Sequence, residues 1–118
     1  MKTQIKKNGD TVIVSMDGRL DFETNGLLRD ELSRLIKPIK TDSTPKKIIF
    51  NLENLEFVGS SGISSFVQTM KEFNANSPNK PRYCNVRSEF KRVIQAFDEE
   101  QGFEFHENEE RARKSFDQ

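Results

Sequence analysis

The segment Gly59-Ser60-Ser61-Gly62 is the clearest place in this chain where side chains could carry chemistry. The glycines let the backbone turn tightly and leave the two serines uncovered. A helical apolar pattern follows, so either serine could cap a helix by accepting a backbone N–H. A helix N-terminus also presents free N–H groups and partial positive charge, so the same position could hold a phosphoryl group. The residues alone leave both interpretations open.

Conventional catalytic and metal-binding patterns are missing from the sequence. The serine segment has no lysine, unlike the phosphate loop of nucleotide hydrolases. His106 is the sole histidine and lies far along the chain, which disfavours a serine triad. A single Cys84 with that histidine provides neither an internal disulfide nor a structural zinc site. Glu53 and Glu56 lie in a turn with no apolar pocket evident around them. We therefore expect that the chain is not an enzyme and uses neither a metal nor a cofactor.

Composition sets further limits on the class of protein. The 118 residues carry 19 Lys+Arg and 19 Asp+Glu, and 33% are apolar. This length fits one domain over residues 1–118. Apolar runs are far too short to cross a membrane, and no basic stripe interleaved with aromatics suggests nucleic-acid binding. We expect a cytoplasmic protein that neither inserts into membranes nor binds nucleic acid directly.

The first half of the chain predicts a hairpin, a helix and a buried strand. Asn8-Gly9-Asp10 predicts a tight turn between two strands, the second ending near Met16 and followed by a loop over 17–21. Helical spacing of leucines predicts a first helix from Glu23, which Pro38 should stop before a linker over 41–45. The apolar run within 46–52 is typical of a central strand covered on both faces. The second helix should bury a stripe formed by Ile63, Phe66, Val67, Met70 and Phe73.

The second half predicts two further strand–helix units. A loop over 74–81 precedes a strand over 82–86, and Ser88 is a candidate N-cap for a third helix. The apolar stripe of that helix comprises Phe90, Val93, Ile94 and Phe97. A short strand over 103–105 leads to a final helix from about Glu107, with the i,i+4 pairs Glu107–Arg111, Glu109–Arg113 and Glu110–Lys114. Cys84 should be a buried, inert thiol.

The resulting order, β-β-α-β-α-β-α-β-α, defines the fold class as α/β. We expect a mostly parallel central sheet of about five strands with an N-terminal hairpin, and about four helices packed on it through right-handed crossovers.

Two motifs carry a resemblance to a known family. Residues 51–63, which read NLENLEFVGSSGI, resemble the signature of STAS domains, the anti-sigma factor antagonist family. In that family a central strand, a turn and a D-S-S-G or D-S-T-G loop precede the second helix. Gly18-Arg19-Leu20-Asp21 is similar to the family's G-x-L-D loop before the first helix. The resemblance extends over almost the whole chain, with Gly59 where the family has an aspartate.

The resemblance implies a non-enzymatic binding module switched by serine phosphorylation. The phosphorylated serine of the family corresponds to Ser60, with Ser61 as the reserve acceptor. The implied partners are an anti-sigma factor that is itself a serine kinase, and a serine phosphatase that resets the switch. The implied partner-binding surface comprises Leu20, Asp21, Gly59, Ser60, Ser61 and Gly62. The chain should be a monomer or a weak dimer.

Other interpretations remain open. Gly59 makes a STAS scaffold that is not phosphorylated, within a larger signalling or transport assembly, a credible alternative. A small-molecule or lipid sensor using the same loops is another, and an enzyme of unrecognised type is the last. Phe22 and Phe57 lie near the two loops and could either contact a partner or pack inward as anchors.

Overall fold

The computed structural model describes residues 2–21, 23–41, 47–76, 79–98 and 102–117, without the side chains of 35–41, 60 and 76. Its elements in chain order are β1 (Lys2–Asn8), β2 (Thr11–Leu20), α1 (Asn25–Thr41), β3 (Lys47–Asn51), β4 (Leu55–Phe57), α2 (Gly59–Asn76), β5 (Arg82–Cys84), α3 (Ser88–Phe97), β6 (Glu104–His106) and α4 (Glu109–Ser115). The predicted linker over 41–45 lies largely outside the described residues, because 42–46 are not among them.

The strands form one mixed, mostly parallel sheet of six strands in the order β1-β2-β3-β5-β6, with β4 paired to β2. β1 and β2 are the expected antiparallel hairpin, in which Asn8 lies opposite Thr11. Gly9 has a φ of 65° at the first central position of the turn, as a type II′ turn requires. All other pairings are parallel, which confirms the α/β architecture.

The loop expected over 17–21 is wrong, because β2 continues to Leu20. The Gly18 N–H donates to the Asn54 carbonyl at 3.0 Å, and residues 18–20 pair in parallel with β4. Long-range pairing supplies hydrogen bonds that the local pattern does not reveal. It also adds β4, which raises the strand count from the expected five to six.

Two helix boundaries also differ from expectation. Pro38 does not stop α1, which continues to Thr41. A proline removes one backbone hydrogen bond, and the turns around it can hold the helix together. Ser88 is not the cap of α3 but its first residue, since Arg87 occupies the N-cap and forms no side-chain capping bond.

The two faces of the sheet bury two separate clusters. The larger lies under α1, α2 and α3 and includes the whole predicted stripe of α2. The smaller lies under α4 and contains Ile13, Ile49, Cys84 and Ala112. In the third helix Ile94 is buried, whereas Phe97 is 41% exposed, so its expected place in the core is wrong.

The final helix begins later than expected because Asn108 caps it, accepting a hydrogen bond from the Arg111 N–H at 2.9 Å. Two of its three predicted pairs form, Glu107–Arg111 at 3.6 Å and Glu110–Lys114 at 3.2 Å. Glu109 instead accepts a hydrogen bond from the Asn51 amide at 2.8 Å, which ties α4 to the end of β3.

Candidate functional site

The two sequence motifs meet at the end of β2. The Val58 N–H donates to the Leu20 carbonyl oxygen at 3.0 Å. A Cβ built on Gly62 would lie 2.8 Å from that oxygen and 3.3 Å from the Cα of Asp21. The first turn of α2 therefore lies against the Leu20–Asp21 backbone, and only glycine fits at position 62 without a shift.

Gly59, Ser60 and Ser61 form the start of α2. Gly59 has a φ of 75°, in the left-handed region that L side chains rarely adopt. A Cβ there would meet only the Ser61 Oγ at 3.9 Å, so the restriction at this position is the backbone angle and not space. Ser61 is exposed. Ser60 follows Gly59 in the first turn of α2, where backbone N–H groups lack helical partners.

Asp21 is held in a reciprocal capping arrangement with Thr24. The Thr24 N–H donates to the Asp21 carboxylate at 2.8 Å, and the Asp21 N–H donates to the Thr24 hydroxyl at 2.9 Å. The Thr24 hydroxyl is also within hydrogen-bonding distance of the carboxylate, at 3.0 Å. The hydrogen bond from the Thr24 backbone N–H, and after it the one with the Thr24 hydroxyl, lowers the pKa of the Asp21 carboxyl. A fixed negative charge therefore stands where the first motif meets α2, and the Asp-x-x-Thr spacing is the signal that could have revealed its cap.

The predicted partner-binding residues divide into positioning and exposed residues. Leu20 is fully buried and Gly62 is also buried, so both position the exposed residues of the site without being accessible themselves. Gly59 and Ser61 are exposed, and Asp21 is half-buried. Sequence reasoning overlooked Val58, an apolar side chain that is 45% exposed directly before Gly59.

A small ion-pair cluster borders the site on β2 and β4. Arg19 lies opposite Glu56 in the strand ladder, with Nε 3.7 Å from the carboxylate. Arg87, which precedes α3, approaches the same carboxylate at 4.0 Å. All three side chains are between 46% and 78% exposed, so these pairs contribute little to stability.

Phe57 packs inward, which answers one of the two open questions about aromatic residues. Its ring makes edge contacts with Phe66 and Phe90, at centroid distances of 5.1 and 5.0 Å. It is therefore an anchor that holds β4 against α2 and α3. Phe22 lies outside the described residues.

The remaining candidate groups lie away from this site, on the face of the sheet that α4 covers. Burial foremost, then the charges of Glu109 and Glu53, raises the pKa of the Cys84 thiol to about 12. Burial also lowers the pKa of His106. Within the described residues, no group of three His, Cys, Asp or Glu side chains is arranged to hold a metal ion.

Comparison with known proteins places the sequence and fold. The model of the STAS domain family matches residues 2–112. Among curated proteins, none matches the chain. In the described part of the chain, no helix combines the length and the apolar character needed to cross a membrane.

Several solved structures share the fold. SpoIIAA, an anti-sigma factor antagonist, in its unphosphorylated form gives a TM-score of 0.62 at 23% identity over 98% of this chain and 96% of that one. The phosphorylated form from Bacillus gives 0.61 at 23% identity over 98% and 99%. An anti-sigma factor antagonist from Mycobacterium paratuberculosis gives 0.74 at 16% identity over 99% and 94%. The murine anion transporter Slc26a9 gives 0.69 at 15% identity, over 93% of this chain but 18% of the transporter.

Proposed function

The chain belongs to the STAS domain family, and we propose that it is an anti-sigma factor antagonist whose binding to an anti-sigma factor is switched by phosphorylation of Ser60. The observation that carries this proposal is the junction of the two motifs. The Leu20 carbonyl meets both Val58 and Gly62, so the half-buried Asp21 lies directly beside the start of α2. A partner that contacts the exposed Gly59 and Ser61 would therefore also come close to Asp21.

Phosphorylation at the start of α2 would change this surface without disturbing the fold. A phosphoryl group adds a charge of about −1.5 to −2 and favours a helix N-terminus, where free N–H groups and partial positive charge face it. Asp21 already contributes a fixed carboxylate next to the first turn of α2. With the phosphoryl group on Ser60, the surface around Asp21 would become strongly acidic. It would then repel a partner whose binding surface is complementary to the unmodified state.

The proposed partners follow from this switch. An anti-sigma factor with serine kinase activity binds the unmodified chain, transfers the terminal phosphoryl group of ATP to the Ser60 hydroxyl with release of ADP and a proton, and then dissociates. A serine phosphatase restores the unmodified state. In the proposed complex Asp21, Gly59, Ser60 and Ser61 contact the partner, while Leu20 and Gly62 hold them in place. Ser61 is the reserve acceptor.

The alternative function is a STAS scaffold or small-molecule or lipid sensor within a larger assembly, not controlled by phosphorylation. Two observations support this alternative function. The fold recurs as a small part of the Slc26a9 transporter chain. Gly59 stands where the resemblance places an aspartate, so the carboxylate that a kinase could recognise is missing. Its φ of 75° is an angle that glycine adopts easily.

Phosphorylation is tested with lysate of the native cells supplemented with magnesium and ATP. Intact mass should show one added phosphoryl group, and tryptic cleavage at Lys47 and Lys71 should place it in peptide 48–71. Ser60→Ala should abolish the modification, whereas Ser61→Ala and the exposed Ser64→Ala should retain it. No incorporation, or incorporation that survives Ser60→Ala, would contradict the assignment of Ser60.

Partner binding is tested in parallel by capture from the same lysate. The unmodified chain and Ser60→Ala should retain a kinase-type anti-sigma factor, identified by mass spectrometry, whereas Ser60→Asp should release it. Equal retention by Ser60→Ala and Ser60→Asp would reject the switch and favour the scaffold.

A further inference from the structure

β1 forms one edge of the sheet, with β2 as its neighbour on one side and no strand of the described chain on the other. A two-residue turn makes Asn8 and Thr11 a hydrogen-bonded pair, and such pairs alternate along an antiparallel ladder. The even-numbered residues of β1 therefore bond to β2. Thr3, Ile5 and Lys7 direct their backbone N–H and C=O groups outward, ready to pair with another strand.

Ile5 stands at the centre of this edge. It is the middle residue of Lys2–Asn8, and its side chain is 54% exposed. Lysines flank it at positions 2, 6 and 7, and β1 contains no acidic residue. More than half of this apolar side chain is therefore accessible to a second strand at the midpoint of an open, basic edge.

We infer that a second copy of this chain pairs with β1, antiparallel, with Ile5 opposite Ile5 across a two-fold axis. The two sheets then join into one, and three outward residues of each copy exchange backbone hydrogen bonds. A two-fold axis makes the contact self-limiting, because each copy uses its single β1 edge.

The positions of the lysines select this register. Outward groups can meet only when odd-numbered residues face odd-numbered residues, and three such registers pair five or more residues of each strand. Centring the axis on Gln4 places Lys2 opposite Lys6, and centring it on Lys6 places two Lys6 side chains face to face. Like charges directly opposite each other are destabilising.

The register centred on Ile5 avoids these clashes. It places Lys2 opposite Asn8, Thr3 opposite Lys7 and Gln4 opposite Lys6, while the two Ile5 side chains meet. The lysines thus act against the other registers, as charged residues on edge strands commonly do.

The same register brings opposite charges together. The Thr3 hydroxyl donates a hydrogen bond to the Glu31 carboxylate of α1, so Glu31 stands over β1 at this position. Lys7 of the second copy lies opposite Thr3 on the same face and can reach that carboxylate. The contact occurs twice by symmetry. Because one strand pair is a small interface, we expect a weak, concentration-dependent dimer.

The dimer leaves the candidate site open and does not rest on the proposed function. β1 pairs with β2 only from Thr11 to Asp17, so the Leu20–Asp21 segment lies beyond the end of the shared edge. A result against the dimer would leave the phosphorylation proposal untouched, and the reverse also holds.

Sedimentation equilibrium of the purified chain tests the association. The weight-average mass should rise towards that of a dimer as concentration increases to about 1 mM. Ile5→Lys should weaken association at least tenfold, because it opposes two lysines at the axis. Phe97→Lys, which adds the same charge at another exposed apolar residue, should leave it unchanged. A monomer throughout the range, or equal loss in both variants, would overturn the inference.

Cysteine cross-linking tests the register. Residues directly opposite in a hydrogen-bonded antiparallel pair have Cα atoms about 5.5 Å apart, within disulfide range. Ile5→Cys should therefore form an intermolecular disulfide rapidly under mild oxidation, and Gln4→Cys, which faces Lys6, should form it at least tenfold more slowly. The buried Cys84 does not compete. Faster cross-linking through Gln4→Cys would reject this register even if the chain dimerises.

Discussion

Gly62 lies so close to Leu20 that a Cβ on the glycine would stand 2.8 Å from the leucine carbonyl oxygen. The neighbouring atom belongs to backbone and cannot move aside cheaply. This contact joins residues more than forty positions apart, and the glycine is therefore a structural requirement of the site. The motif at residues 18–21 and the motif at residues 51–63 therefore contact each other directly.

We expect Gly62→Ala to destabilise the fold by about 1–3 kcal/mol, because α2 must move away from the Leu20 carbonyl. Urea unfolding measures the change in the free energy of unfolding. Gly26→Ala is the matched control: it is also a helical glycine, but a Cβ there meets nothing within 4 Å. That control should stabilise the protein by about 0.4–1 kcal/mol. Equal effects of the two substitutions would contradict the close contact.

The cap formed by Asp21 and Thr24 predicts how acid affects the candidate site. The pKa of the Asp21 carboxyl is lowered chiefly by the Thr24 N–H, then by the Thr24 hydroxyl. A lowered folded pKa means that the stabilising contribution is complete above the ordinary pKa and is lost as pH falls through the folded value. Thr24→Val removes the hydroxyl but keeps the N–H, so the pKa of Asp21 should move part of the way back to 3.8.

An NMR titration of the Asp21 carboxyl carbon measures this change. Ser33→Ala, on the exposed side of α1, is the control and should leave the Asp21 titration where it is. A pKa of Asp21 that does not respond to Thr24→Val would show that the hydroxyl takes no part in the cap.

Elements with strong local patterns could be predicted from the sequence. The stripe of α2 and the central strand β3 were clear because long apolar periodicity reflects the buried face directly. Residues 18–20 and β4 were missed because each stretch is short and acquires its strand geometry only from the other. Pro38 does not end α1 and Ser88 does not cap α3, because the preference of one residue does not decide where a helix begins or ends.

The sequence motifs predict which residues belong to the candidate site, but not how those residues are arranged. That Leu20 is buried, and so positions the site, depends on long-range packing. The φ of 75° at Gly59 and the exposure of Val58 also follow from how α2 joins β4. By contrast, the Asp21–Thr24 cap was available from the spacing of the two residues.

Cys84 should be almost unreactive in the folded protein. Burial raises the pKa of its thiol to about 12, so at pH 8 the reactive thiolate is roughly one molecule in ten thousand. A thiol-specific disulfide reagent should label it only after urea unfolding. Val58→Cys introduces a half-exposed thiol as a control that should react at once. Rapid labelling of Cys84 in native protein would show that the core under α4 opens readily.

The hydrogen bond between Asn25 and Thr69 should be measurable as a coupling between α1 and α2. The Asn25 amide donates to the Thr69 hydroxyl at 3.0 Å, and both residues are buried. Thr69→Val removes the acceptor while keeping the shape, and leaves the amide without that partner, so we expect a loss of about 1–3 kcal/mol. Asn25→Leu combined with Thr69→Val should cost less than the sum of the single changes, because neither partner remains unsatisfied.

Urea unfolding of the four proteins in this cycle gives the coupling free energy, provided the denaturant slope is unchanged. Ser64→Ala, exposed on the same helix, should stay within about 0.5 kcal/mol of the unmodified chain. Strictly additive costs would mean that the two side chains do not interact. A double change that costs less than the sum of the single changes would show that a buried polar contact couples α1 to α2.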